Sequence, residues 1–187
     1  MFEQTYEKTS GPDIASVLSE YSKDALYKSG TYNSGIFTLF DKDYAEKISV
    51  EGFRFLIGND DYVPFGMTAL GDLFLLRKKD KEIFILETQL LSFTSPEVTI
   101  DGFFNNFLVN KGVIEDVLNR DYANSIYSHL QKLPEYPKCY IPQPYLFLGG
   151  KDIPSNYILG DFAVYMELVS QTLLQNPSLM VRGNTDE

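Results

Sequence analysis

With 187 residues, 44% of them hydrophobic, the chain is long enough for one sizeable core or for two small lobes sharing an interface, and disorder is excluded. Its 26 acidic against 16 basic side chains leave a formal net charge of -10, which argues against direct binding of DNA or RNA, whose phosphates need a basic face. The same field repels anionic lipid headgroups and favours a basic protein partner through long-range attraction; solubility is the alternative use of the acidity.

Carrying 13 Tyr and 14 Phe but no Trp, the chain must bury most of its rings to stay in solution, or present some of them at a contact. The single cysteine, Cys139, rules out an intrachain disulfide and any cysteine-built metal cluster. MFEQTYEKTS lacks the basic and apolar regions of a signal peptide, and no apolar run approaches the ~20 residues that span a bilayer. The expectation is a soluble cytoplasmic protein with no membrane partner, monomeric or weakly self-associating.

In chain order, Ser10, Gly11, Pro12 and Asp13 read as a helix start, with a serine N-cap, a proline in the first turn and an acid placed to complete a capping box. Ile14, Val17, Leu18 and Tyr21 follow at helical spacing. A second short helix through Ala25 and Leu26 is expected to end near Gly30. Ile36 to Phe40 reads as a strand, and Asp41 as the cap of a helix that turns Tyr44, Ala45 and Ile48 inward. Residues 52–64 mix apolar side chains with the turn signals Gly58, Asn59 and Asp60, and a lobe boundary is placed here. Residues 1–61 hold 11 acidic and 6 basic side chains and residues 62–187 hold 15 and 10, so the shorter part carries the same excess of acid at about twice the density.

The stretch that organises the rest is 65–88, FGMTALGDLFLLRKKDKEIFILET. Leu73 to Leu76 and Ile83 to Leu86 are apolar at every position, the pattern of strands covered on both faces, and Arg77 to Lys81 keep the hairpin tip in water. A further strand is expected between Gln89 and Ile100, interrupted at Ser95 and Pro96. Asp101 then opens a helix carrying Phe103, Phe104, Phe107 and Leu108, Gly112 ends it, and 113–118 is another short helical piece. Asp121 reads as the cap of a helix over 122–133 with Ile126, Leu130 and Leu133 inward, stopped by Pro134 and Pro137. KCYIPQPYLFLGG is an edge or irregular extended passage ending in a turn at Gly149 and Gly150. After a short strand at 157–159, Asp161 caps a helix with Phe162, Tyr165, Met166, Val169 and Leu173 on one face, and residues beyond Asn176 are expected to fray. The predicted class is α+β: a central antiparallel sheet built around a hairpin at 67–88, with flanking helices and a terminal amphipathic helix.

Reactive constellations are scarce. No GxSxG or SxxK occurs, His129 and Cys139 are the only residues of their types, and neither can build a common zinc site. Asp41 with Asp43 and Asp60 with Asp61 can in principle hold magnesium or share a proton, but the first pair reads as a helix start and the second as a turn. Gly149 and Gly150 lack the pattern of a phosphate loop. The expectation is a binding protein without catalytic residues, metal or cofactor; the competing enzyme reading is a small hydrolase using Asp41, Asp43, Asp60 and Asp61.

From Phe65 onward the order of features resembles the C-terminal domain of immunity proteins that protect bacteria from type VI secretion DNase effectors. Thr68, Gly71, Asp72, Leu73, Phe74 and Leu75 match a TxxGDLFL hairpin. Leu133, Pro134, Tyr140, Pro142, Leu146, Leu148, Gly149 and Gly150 match a second segment close to LGPLxPDExYGFxPxLxLGG. The chain departs from that pattern at Lys132, where a glycine is expected, and at Tyr136 to Lys138, where the acidic pair would stand. GIFTLFDKDYAEKI, from Gly35 to Ile48, is similar to the GAD-like domain that commonly precedes it. The resemblance divides the chain into a GAD-like region, 1–61, and an immunity-protein domain, 62–187, packed as one compact unit. It implies a non-enzymatic antidote that binds a cognate basic toxin or nuclease effector and masks its active site or DNA-binding surface. The contact residues then expected are Asp13, Glu20, Asp24, Asp41, Asp43 and Glu46, with Tyr32 or Tyr44 as anchors. An immunity or scaffold protein of the SUKH superfamily, with a non-nuclease partner, is the alternative.

Overall fold

The computed structural model describes residues 2–22 and 27–180. Its frame is a seven-stranded antiparallel sheet in which spatial order is sequence order: β1 (Lys8–Ser10), β2 (Gly30–Tyr32), β3 (Phe37–Leu39), β4 (Tyr62–Thr68), β5 (Leu73–Arg77), β6 (Ile83–Glu87) and β7 (Ser92–Thr94). The central hairpin pairs Leu73 with Leu86 through Leu76 with Ile83, and all eight side chains are buried. Alternation then requires cover on both faces of the sheet. One layer is aromatic: Phe103, on a helical segment that begins as α1 (Ile100–Gly102) and passes into a π-turn (Phe103–Phe107), meets Phe74 at 5.1 Å and Phe65 at 5.5 Å, while Phe104 and Phe2 meet at 5.0 Å. On the other side Phe40 stacks on Phe162, the first residue of the terminal helix α2 (Phe162–Gln175), at 5.7 Å. As its spacing predicts, α2 buries Phe162, Tyr165, Met166, Val169 and Leu173.

A separate two-stranded sheet, β8 (Lys138–Pro142) with β9 (Tyr157–Asp161), accommodates the prolines outside the main ladder, and Asp161 caps α2 by accepting from Val164 N at 3.1 Å. The main sheet is continuous across position 61, since β4 pairs with β3 on one side and β5 on the other.

Several local expectations fail for identifiable reasons. Ser10 does not cap a helix: it belongs to β1, and Gly11 adopts φ +102°, a left-handed conformation that no first helical turn uses. Only a 3-10 turn, Val17–Glu20, survives of that helix; Val17 and Leu18 are buried, while Ile14 is exposed. The expected helix through Ala25 and Leu26 lies outside the described residues. Thr99 rather than Asp101 caps the Phe-rich segment, its Oγ1 accepting from Gly102 N at 3.1 Å. Gly112 sits in the first turn of a new helix, α3 (Lys111–Asp116), instead of ending the previous one, because Asn110 Oδ1 accepts its N–H at 2.8 Å. The next helix, α4 (Arg120–Leu130), starts from a left-handed Asn119 without side-chain capping and stops at a left-handed Gln131, so Leu133 lies beyond it and is exposed. Past Asn176 the chain forms a 3-10 turn, Pro177–Leu179.

Candidate partner interface

Asp41 leads from β3 into a one-turn helix, α5 (Lys42–Ala45), and its Oδ1 accepts from Tyr44 N at 2.9 Å, as the sequence predicts. Its other oxygen takes the Tyr136 hydroxyl, and the residue is buried. Asp41 is thus withdrawn from any surface contact by the cap itself. Tyr32 and Tyr44 are withdrawn as well. Tyr32 donates to Lys28 O at 2.7 Å within the aromatic layer, and the Tyr44 hydroxyl accepts from Ala163 N at 2.8 Å and reaches Asp161 Oδ1 at 3.3 Å. Both are core residues, so neither is placed to be the aromatic anchor expected from the resemblance.

The remaining carboxylates divide. Asp13 is exposed but stands apart from α5, held by Lys28 at 2.6 Å and Lys8 at 3.9 Å; the Lys28 hydrogen bond keeps its carboxyl below the usual range. Asp24 lies outside the described residues. Glu20 and Glu46 do come together beside α5, and Asp43 is exposed on that helix three residues before Glu46. Glu20 holds Lys42 at 2.8 Å and raises its pKa through that bond, whereas Asp43 and Glu46 are exposed with no ion-pair partner among the described residues. Glu20 and Glu46 line a groove of about 280 Å³, together with Lys42, Lys78 and the half-buried rings of Tyr21 and Tyr62. These two tyrosines are the groove residues that sequence reading missed: Tyr62 falls in the ambiguous 52–64 stretch, and Tyr21 was given to the inner face of a helix that does not form.

The carboxylate pairs offered for hydrolysis are not paired in space for that purpose. Asp41 is buried while Asp43 is exposed, and Asp60 is engaged by Lys79 at 2.7 Å and Arg77 at 3.8 Å. Cys139 is fully buried on β8 and its thiol is pushed well up by burial, and His129 lies on the exposed face of α4. A thiol so placed is a poor nucleophile. Among the described residues no group of His, Cys, Asp and Glu is arranged to hold a metal, and no helix is long and apolar enough to cross a membrane.

The motif residues perform a structural task. Thr68 Oγ1 accepts from Leu70 N at 3.2 Å and Asp72 N at 3.1 Å and donates to Asp72 Oδ2, while Gly71 at φ +84° closes the β4–β5 turn. From there the Thr88 hydroxyl meets Gly71 O at 2.9 Å and the Tyr165 hydroxyl at 2.7 Å; Gln89 donates to Tyr165 and accepts from Leu146 N at 2.7 Å. The hairpin, α2 and the LGG loop are locked by one buried hydrogen-bond chain. Asp72 belongs to it: although part of the residue meets solvent, burial of its carboxyl raises the pKa to about 7.

No family model matches the chain, and no curated protein does. Among solved structures it is similar to the crystal structure of Atu4351 from Agrobacterium tumefaciens, with a TM-score of 0.62 and 14% identity over 90% of this chain and 86% of that one. The likeness is one of fold.

Proposed function

We propose that the chain is an immunity protein, acting in the cytoplasm, that binds a basic effector of type VI secretion and covers its active site or DNA path. The observation that carries this reading is the exposed Glu46, which with Glu20 lines the groove floored by Tyr21 and Tyr62, and the exposed Asp43 on the same short helix. An acidic rim around half-buried rings suits a basic partner, because the charges speed encounter and the rings supply the anchor. The network that joins Asp41, Tyr44 and Tyr136 ties α5 to the rest of the fold under that rim, which limits the ordering cost of binding. The sealed Cys139 and the ion-paired Asp60 support a binding role over a catalytic one.

The test is co-purification of the partner from host extract, an assay of that partner for DNA cleavage, and titration with the purified chain. Stoichiometric loss of cleavage, relieved by Asp43→Lys with Glu46→Lys, is the expected result. A partner without nuclease activity removes the DNase assignment and leaves the SUKH-like reading; turnover of a substrate by the isolated chain removes both.

A further inference from the structure

A cavity of about 350 Å³ lies away from α5, between the β2–β3 turn and α4. Its interior is made of buried residues. The small side chains of Ala69 and Ala123 line it, and Tyr6 and Tyr140 present rings rather than hydroxyls, since Tyr6 donates to Leu108 O at 2.7 Å and Tyr140 to Lys132 O at 2.9 Å. The rim is polar: the exposed side chains of Ser34, Asn124 and Tyr127 make no hydrogen bond among the described residues. Among the described residues Arg120 is the one charged residue lining the cavity, although the protein as a whole carries -10. Its Nε is 3.2 Å from Asp121 and its Nη2 is 3.6 Å from Glu115, exposed pairs neither of whose acids lines the cavity, and among the described residues Nη1 has no ion-pair partner. The guanidinium is near enough to the Tyr6 phenol to oppose the effect of its burial. The turn that closes the other side holds Asn33 at φ +46° and Ser34 at φ +59°, strained backbone for residues with side chains.

A cavity of this size, apolar and aromatic within, with a cation and several donors at its mouth, has the make-up of a small-ligand site. We propose that it binds a carboxylate carried on an aromatic or branched apolar body, with the ring or branch against Tyr6, Tyr140 and Ala123 and the carboxylate at Arg120, Ser34 and Asn124. Such a ligand is either a free organic acid or the C-terminal residue of a peptide; both present the same chemistry. The assignment is independent of the partner groove at α5.

The experiment is an amide NMR titration of the full chain with phenylacetate, with phenylacetamide as its neutral counterpart, and with a short peptide ending in phenylalanine as free acid and as amide. Saturable shifts at Ser34, Ala123 and Asn124 are expected with phenylacetate, with the neutral amide weaker by about tenfold, the loss of one charge-assisted hydrogen bond. If the free-acid peptide binds better than phenylacetate, a chain terminus is the ligand; if it does not bind, a free acid is. Arg120→Gln should abolish the preference for the charged form, and Ala123→Leu should abolish binding of both while leaving sheet amides such as that of Leu75 unshifted. Should Ala123→Leu fail to fold, Arg120→Gln alone decides. Equal binding of acid and amide, an undiminished preference in Arg120→Gln, shifts confined to other surfaces, or no saturation up to the solubility limit of phenylacetate would each overturn the assignment.

Discussion

Asp72 shows how a motif residue that looks chemical can be structural. Its carboxyl is enclosed beside Thr68 and within the field of Glu87, and burial raises its pKa from 3.8 to about 7. The folded state therefore holds a proton that the unfolded state has released between those values, so the stability linked to this group is fully present below about pH 4 and is lost as pH rises through 7. Asp72→Asn, which is neutral at every pH and can still accept from Thr68, should flatten that dependence. At pH 8 it should be the more stable protein by ~1–2 kcal/mol, a value discounted because part of the residue meets solvent. Urea unfolding of both proteins at pH 5 and pH 8 checks it, and parallel losses would show that another group titrates. Tyr136 makes the opposite case, a residue in the segment that departs from the immunity-protein pattern and yet ties both halves of the chain together. Its hydroxyl donates to buried Asp41 and its N–H donates to Ser10 Oγ at 3.0 Å. Tyr136→Phe leaves a buried carboxylate one donor short and should cost about 1–3 kcal/mol in the same measurement.

At the level of elements, α2 depends on a cap that also serves as a cross-link. Asp161 Oδ1 accepts from Val164 N and lies 3.3 Å from the Tyr44 hydroxyl, so it joins the helix start to α5. Asp161→Ala should lose ~1–2 kcal/mol and Asp161→Asn most of that loss should avoid, because asparagine caps nearly as well; equal losses in the two variants would mean the charge matters more than the cap. This element was legible because three signals coincide in it: an acid at the cap, a 3.6-residue apolar period and no interior glycine or proline. The hairpin was legible for the same kind of reason, with two apolar runs and a charged tip. What misled was capping chemistry read without knowledge of strand pairing. Ser10 to Asp13 carries every local mark of a helix start, yet the pairing of Lys8 with Tyr32 draws Ser10 into the sheet and Gly11 against Gly30. The surface residues were harder still, since a tyrosine in the aromatic layer and one in a groove look alike in sequence. Tyr32 and Tyr44 are separated from Tyr21 and Tyr62 only by the fold.

For the whole molecule, charge and shape act on different steps of association. A body of net charge -10 draws a basic partner from a distance, and that attraction is screened over about 8 Å at physiological salt, so it governs the rate of encounter. Groups desolvated in the final complex govern its lifetime. On the proposed reading the exposed Asp43 and Glu46 belong to the first class, and Tyr21, half-buried in the groove, to the second. Reversing both acids to lysine should therefore lower the association rate constant for the basic partner by about tenfold at low salt and leave dissociation nearly unchanged. Tyr21→Ala should instead speed dissociation with little effect on association, while the wild-type association rate falls steeply as salt is raised. Surface plasmon resonance over a salt series separates the two. A flat salt profile would remove the role of charge, and an unchanged dissociation rate in Tyr21→Ala would move the contact away from α5.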